Sequence, residues 1–509
     1  MSRINTNVQA LIAQRVLGQN NFDLSRSLER LSTGLRISRA KDDPAGLIAS
    51  ENLRSELSGT NAAISNAERA DQVVNTAEGG LQEVSNLLTE LQGLLTTNAS
   101  SAGLSLEEKE ANQLQIDSIL QTVDRISSST SFQGIKLLNG NFDYDTSSVG
   151  AQVADFAVNG AKFDGASLDV DVVVTASAQQ GALNLDFGGT SLDLSSTNAK
   201  FTFEVEGANG AREFSFSSGT GVTDVVAAIN AFTDVTGVVA SAAGSNEEIR
   251  LYSEDFGTSD FVSVRVIDDG GLTATGTGVS NYDSGDNNTV DTTTRVLFNS
   301  SGASNGIQDL GQDVVASING ISATSNGKVI NVNSDFLNVK LELTTAAAQT
   351  PAGFTAFNIS GGGASFMLDG DVDINGEVAI GIADVAARKL GRYNDGTSNF
   401  FLDDLAGGNA LNAIDGDLTK AQEVVSSALN EVSATRGRLG AFQRNTIAAT
   451  INSLSIAVEN TSAAQSIIRD ADFASETANL TRNQILVSAA TNTLALANNQ
   501  PQNVLQLLG

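Results

Sequence analysis

The 509-residue chain contains no cysteine, histidine or tryptophan, only three prolines, and 59 acidic against 29 basic residues, for a formal charge of −30. Without Cys there is neither a disulfide nor a thiolate metal site, and without His the usual base and the commonest transition-metal ligand are missing, which argues against catalysis and against a bound metal or cofactor. The charge repels nucleic acid and anionic membranes, and no run of about eighteen apolar residues exists to span a bilayer, so neither is expected as a partner.

Within Met1 to Gly18, the polar Asn5, Asn7, Gln9, Gln14 and Arg15 interrupt the apolar block that a signal peptide needs, so export is expected by a route without a cleaved leader. Ile4, Val8, Leu11, Leu17, Leu24, Leu28, Leu31 and Leu35 form a narrow apolar stripe. Gln, Asn, Arg and Ser occupy the other face, so the spacing predicts a helix that requires a second helix beside it. Asp43 before Pro44 marks a helix start: the aspartate caps free backbone N–H groups, and proline has no N–H to leave unpaired at the first helical position.

The run Glu29-Arg30-Leu31-Ser32-Thr33-Gly34-Leu35-Arg36-Ile37, followed by Ala40-Lys41-Asp42-Asp43-Pro44-Ala45-Gly46-Leu47, closely resembles the N-terminal core of bacterial flagellins, as does the opening Ile4-Asn5-Thr6-Asn7. From Pro44 the helical pattern continues through Leu57, Ile64, Val74, Ala77, Leu81, Val84, Leu88, Leu91 and Leu95. Thr96 to Gly103 breaks it as a turn. Ser105 with Glu108 fits a capping box, and Leu106, Ile116, Ile119, Val123 and Ile126 make a third helix, antiparallel to the second. Ser131 to Gly140 is similar to the short hairpin that closes this region in flagellins. In many flagellins the stretch matching Leu88 to Leu94 carries an arginine-rich surface recognised by an innate immune receptor. Glu90 and Gly93 depart from that pattern, and weak or absent recognition is expected.

Between Asn141 and Phe400 the helical stripes give way to Gly, Thr, Ser, Asn and Asp. Short alternating runs predict strands at Leu168 to Val174, Phe201 to Glu206, Arg212 to Phe216, Phe261 to Ile267 and Val339 to Leu343. This region holds 11 basic and 33 acidic residues, so −22 of the −30 belongs to it, as befits a solvated outer surface. Gly221 to Asn230, Thr236 to Ser241 and Ile249 to Ser253 resemble the hook "IN" motif of flagellins and hook-associated proteins, with a looser echo at Val314 to Leu343 around Ile318-Asn319-Gly320. Two β-rich domains are expected here, divided between Asp268 and Asp291. Asp371-Val372-Asp373-Ile374-Asn375-Gly376 begins like an EF-hand loop, but its twelfth position is Ile382 rather than a bidentate glutamate, so it reads as a strand and turn. The zinc-protease insert of some flagellins needs histidine and is ruled out.

From Leu411 to Ile468 apolar residues recur in steps of three and four: Leu411, Ile414, Leu418, Ala421, Val425, Ala428, Val432, Leu439 and Phe442. After a one-residue slip, Ile447, Ile451, Leu454, Val458 and Ile468 continue the seam. A seam this narrow predicts a coiled coil. As one helix it would be about 85 Å long at 1.5 Å per residue. A last helix follows through Leu480, Ile485, Leu486, Ala489, Ala490, Leu494 and Ala497, with Asn499 to Asn503 expected to interrupt it before Val504, Leu505, Leu507 and Leu508. This end also resembles the flagellin C-terminus, including Pro501-Gln502-Asn503-Val504-Leu505. Both ends bury too little alone to offset their ordering entropy, so Ser2 to Arg39 and Arg469 to Gly509 are expected to order only when copies stack.

The expected fold is multidomain α + β, with long N- and C-terminal helices paired as a coiled-coil bundle and β-rich domains inserted between them. The expected divisions are 1–43 and 469–509 for the terminal helices, 44–140 and 403–468 for the helical core, and 141–275 and 276–402 for the β-rich domains. The expected assembly seam comprises the leucines at 24, 28, 31, 35, 81, 88, 91, 418, 454, 480, 494, 505 and 508, with Val425, Val432, Ile451, Val458 and Ile485. The resemblance implies a self-assembling subunit of the extracellular flagellar filament. Its implied partners are copies of itself, a secretion chaperone, a cap and hook-junction proteins. A hook–filament junction protein is the alternative with similar ends, and an adhesin or enzyme carried on the middle domains is another. The slip beside Gly437 and Gly440 suggests two registers for the seam, suited to a filament that switches its helical form.

Overall fold

A computed structural model describes residues 6–506 apart from 101–102, 164, 245–246, 273–275, 284–285 and 396–397. Its α-helices among those residues are α1 (Val8–Thr33), α2 (Pro44–Asn98), α3 (Leu106–Ser129), the short α4 (Val222–Asn230), α5 (Thr233–Thr236), α6 (Ser301–Asn305) and α7 (Thr345–Gln349), then α8 (Leu418–Ala441), α9 (Ala448–Arg469) and α10 (Phe473–Gln506). The chain divides into two compact bodies, Met1–Gln82 with Phe366–Val378 and Ser433–Gly509, and Glu83–Ser365 with Ala379–Val432.

Local chemistry sets the helix ends. Asn7 Oδ1 accepts the Ala10 N–H at 3.0 Å to start α1, and Gly34, at φ 72°, ends it in the left-handed conformation open to glycine. α2 begins at Pro44, where Asp43 Oδ1 accepts from Gly46 N–H at 2.9 Å. Ser105 and Glu108 form a reciprocal capping box on α3. The slip in the C-terminal seam is a π-helical turn, Phe442–Ile447, joining α8 to α9. One residue is inserted there, so Phe442 and Ile447, five apart, are both buried.

Two expectations about these helices are corrected. The C-terminal helix starts at Leu418 rather than Leu411. Asn412 Oδ1 accepts from the N–H groups of Ile414 and Asp415, and Gly416 N–H bonds Asn412 O, closing a turn before Asp417 caps Thr419 and Lys420. Leu411 is therefore buried from a turn. Nor does the Asn499 to Asn503 stretch interrupt the last helix, because α10 runs on to Gln506 through Pro501. Ile4, Leu508 and the side chain of Leu505 lie outside the described residues.

Strands occupy each run predicted from alternation, and every pair in the four larger sheets is antiparallel. Their grouping does not follow a boundary at 268–291. One core, from Leu183 to Ala303, is built from a six-stranded sheet, a four-stranded sheet and α4, and includes Phe187, Phe201, Phe203 and Phe298. The second combines Tyr144 to Ala178 with Val314 to Ile359, because strand Leu168–Ala176 pairs with Val315–Ile318 on one side and Gly353–Gly362 on the other. The first core is thus an insertion within the second, and Gln179 bridges Gln312 where the chain leaves and returns. The looser echo near Asn319 is a tight hairpin, with Asn319 and Gly320 both at positive φ and no helix between its strands.

The candidate assembly interface

In the body that holds both chain ends, α1 and α10 run antiparallel. Asn7 Nδ2 donates to Ala497 O at 2.7 Å, Asn20 Nδ2 to Leu486 O at 3.3 Å and Asn483 Nδ2 to Ser27 Oγ at 3.2 Å, while Arg30 lies 3.9 Å from Glu476. Buried and half-buried positions recur in heptad steps on both helices: Ala10, Ala13, Leu17, Asn20, Leu24, Ser27 and Leu31 on α1. They are met by Glu476, Leu480, Asn483, Val487, Ala490, Leu494 and Ala497 on α10. The two helices therefore form a coiled-coil pair whose seam mixes leucine with small and polar residues.

Of the expected seam, Leu24, Leu31, Leu480 and Leu494 lie on this stripe. Leu28 and Ile485 do not; Ile485 is 64% exposed. Val8, Leu11, Ile12, Val16, Phe22 and Leu28 on α1 and Phe473, Ile485, Leu486 and Leu496 on α10 leave large apolar side chains open to solvent.

Where α1 and α9 end, the chain pairs with itself again. Leu35 and Asp470 form an antiparallel bridge, with Arg36 N–H bonded to Arg469 O at 2.7 Å and Ala471 N–H to Gly34 O at 2.8 Å. The Arg36 guanidinium donates to Ile468 O at 2.6 Å, supplying the C-terminus of α9 with a cation. Asp42 closes the following loop: its carboxylate accepts from Ser38 Oγ at 3.2 Å and Arg39 N–H at 3.1 Å, and Arg26 stands 3.4 Å away. Burial pushes the Asp42 pKa up, but the hydrogen bonds from Arg39 and Ser38 and the Arg26 charge outweigh it and hold the carboxyl below the usual carboxylate range.

In the same body α2 runs antiparallel to α9 and the end of α8. Arg436 reaches Glu78 at 2.9 Å and also Gln82, Gln443 reaches Asp71 at 3.2 Å, Gln465 reaches Ser50 O at 3.4 Å and Arg469 reaches Glu51 at 3.0 Å. Leu81 is buried, whereas Ile451, Leu454 and Val458 are half-buried and α9 has no fully buried residue. Ile467 on α9 is 81% exposed. The Phe366–Val378 segment lies against this pair: Asn66 Nδ2 bonds Met367 O at 3.3 Å, and the Phe366 and Phe442 rings are 6.2 Å apart at the π turn. Its Gly370 approaches Gly59 so closely that a Cβ on Gly59 would meet Gly370 O at 2.7 Å.

In the second body Leu88, Leu91, Val425 and Val432 are buried and Leu418 is half-buried. There α3 runs antiparallel to the end of α2, through Asn112 to Asn98 at 2.6 Å and Gln115 to Glu90 at 2.9 Å. Buried Gln113 on α3 donates to Leu405 O at 2.9 Å and accepts from Ala413 N–H at 2.6 Å, fixing the segment before α8.

Sequence reasoning missed four of these features: the Asn7 contact, the Leu35–Asp470 bridge, the Gln113 staple and the Phe366 segment. Each joins residues about 300 or more positions apart or uses backbone groups, which leave no periodic trace. Among the described residues no group of three His, Cys, Asp or Glu is placed to hold a metal, and no helix is long and apolar enough to cross a membrane. The EF-hand-like loop instead turns on Asp373 Oδ1, which accepts from Gly376 N–H at 2.8 Å, and Ile382 is fully buried.

A model of the bacterial flagellin N-terminal helical region matches residues 4–143, one of the C-terminal helical region matches 422–508, and one of the flagellin hook IN motif matches 191–255. The chain is 30% identical over 546 residues to the B-type flagellin of Pseudomonas aeruginosa, covering 99% of each. It is 28% identical over 539 residues to flagellin B of Helicobacter pylori, again 99% of each. Among solved structures, FliC of Burkholderia pseudomallei matches 74% of this chain and 98% of its own at 16% identity, with a TM-score of 0.22, too loose a superposition to carry an argument.

Proposed function

Because the chain belongs to the bacterial flagellin family and is a structural subunit of the flagellar filament, we propose that it polymerises through the stripes its terminal helices leave uncovered. The observation that carries this reading is the exposure of Val8, Leu11, Ile12 and Val16 along α1 and of Ile485, Leu486 and Leu496 along α10. Such rows of large apolar residues are stable in water only when another surface covers them. Polymerisation places copies of the same chain on them. In the proposed filament Leu24, Leu31, Leu480 and Leu494 join the two ends of one subunit, while Leu28 and Ile485 reach its neighbours.

The same reading makes 1–43 and 469–509 the filament's inner tube and the helices of 44–140 and 403–468 its next layer, with the acidic central residues at the solvated surface. The terminal helices order fully only on assembly, since α1 buries Ala13 and Ser27 alone among its residues. Rapid amide exchange of 8–33 and 473–506 in soluble subunits, and slow exchange in filaments, is the expected contrast. The family is structural, and no catalytic role is proposed. A chaperone that masks α10, a cap at the growing tip and a hook-junction protein at the base complete the proposal.

Seeded growth tests it. Full-length protein should extend seeds into long filaments. A chain lacking residues 1–40 and 470–509 should remain soluble, and growth of that shortened chain into the same tubes would refute the assignment.

A further inference from the structure

Pro501 sits inside α10, which continues to Gln506. In an α-helix each N–H bonds the carbonyl four residues back, and proline has no N–H, so Ala497 O is left without its regular donor. The amide of Asn7 takes that place: its Nδ2 is 2.7 Å from Ala497 O, beside an Ala497 that is buried. The other end of the same amide, Oδ1, accepts the Ala10 N–H at 3.0 Å and starts α1. One side chain therefore satisfies an orphaned donor in the first helix and an orphaned acceptor in the last.

We propose that Asn7 is a positioning residue for assembly: it replaces the hydrogen bond that Pro501 withholds and so fixes the register of α1 on α10 at the chain ends. Of the four side chains favoured at helix starts, Asp lacks a donor and Ser and Thr place donor and acceptor on one short-armed oxygen, whereas Asn presents an acceptor and an N–H donor on separate atoms of one planar group. A carbonyl left bare in this seam would be costly, so the proline and the asparagine act as a pair. The consequence for growth rests on the filament reading above.

Four full-length proteins test it: the parent, Asn7→Asp, Pro501→Ala and the double variant, compared by the critical concentration for seeded growth. Asn7→Asp keeps the acceptor at Ala10 but removes the donor, and should raise the critical concentration about tenfold, the scale of one lost hydrogen bond. Pro501→Ala restores a backbone N–H for Ala497 O, and on that background Asn7→Asp should change growth less than about twofold. An equal loss on both backgrounds, or no loss beside Pro501, overturns the pairing. If the parent does not extend seeds, the filament reading falls. The pairing is then judged by thermal loss of far-UV helical signal in trimethylamine N-oxide, which favours burial. Coupling between the two substitutions there supports it, and additivity overturns it.

Discussion

The π turn between α8 and α9 makes one residue of the C-terminal seam removable. Phe442 and Ile447 are both buried although five residues apart, and Asn445 between them is exposed. Deleting Asn445 reduces their spacing to the four of a regular helix, and the contacts on either side keep their phase: Arg436 with Glu78 before the turn, Gln465 with Ser50 and Arg469 with Glu51 after it. The deletion should change stability by no more than about 1 kcal/mol, the value of one remade backbone bond. Deleting Ser455, an exposed residue in the regular part of α9, is a different perturbation. Everything after it rotates by about 100° and shifts by about 1.5 Å. That breaks the contacts of Gln465 and Arg469 and strains the hydrogen bonds joining Gly34 and Arg36 to 468–471. At about 1 kcal/mol per bond the loss is roughly 5 kcal/mol. For a body of this size that is a fall of roughly 10–20 °C in melting temperature, against less than about 4 °C for the Asn445 deletion. Calorimetry of assembled filaments of the two deletions and the parent makes the comparison. Equal destabilisation by both would refute the reading of Phe442–Ile447 as an inserted residue.

Gly437 and Gly440 have open space where a Cβ would stand, so Gly437→Ala with Gly440→Ala should stabilise the helix by about 2 kcal/mol. If the seam beside the π turn sets the filament's helical form, electron microscopy of the double variant will show an altered waveform, and an unchanged one removes that role. Gln113→Ala leaves Leu405 O and Ala413 N–H without partners in a buried site and should destabilise the second body by about 2–4 kcal/mol in urea titrations. A loss under about 0.5 kcal/mol would contradict the staple. Because the folded Asp42 pKa lies below its unfolded value, its contribution is present above the unfolded pKa and is lost as pH falls through the folded one. Asp42→Asn should therefore lower filament stability at pH 7 and make progressively less difference as pH falls through the folded pKa; a penalty independent of pH would show that the charge is not what holds the loop.

What was legible in the sequence was what local chemistry decides. Asp43-Pro44 and Ser105 with Glu108 mark helix starts because capping involves residues three apart. The break in phase between Phe442 and Ile447 was readable because a π turn adds one residue to an otherwise regular pattern. Leu411 and Ile414 extended that pattern by coincidence: their spacing fits a helix, yet Asn412 closes a turn there. Pro501 looks locally like a break because its rescue comes from Asn7, 490 or more residues away. The strands of the central region were visible as alternation, but alternation does not say which strand pairs with which. Strand Leu168–Ala176 pairs with Val315–Ile318, and nothing local to either reveals the insertion between them. Leu28 and Ile485 stand out in the sequence because leucine and isoleucine are conspicuous, yet they lie off the seam. Ala13, Ser27, Asn483 and Ala490 line it instead.

In the proposed filament, the small and polar residues along this seam are the reason the terminal pair depends on neighbours. Buried methyl groups contribute only about 0.8 kcal/mol each, so Ala13, Ala490 and Ala497 together bring roughly the stabilisation of one well-buried leucine. Their small size permits close approach of the helices, and Asn20, Ser27 and Asn483 fix register by hydrogen bonds rather than by area. Beyond the half-buried leucines of the seam, other large residues lie outside it, where Leu11 is 58% and Ile485 64% exposed. In a lone subunit they add nothing to the pairing of α1 with α10. In the proposed filament other copies cover them and they supply the missing apolar burial, so the free energy that completes each subunit's terminal helices would be the free energy that holds the polymer together.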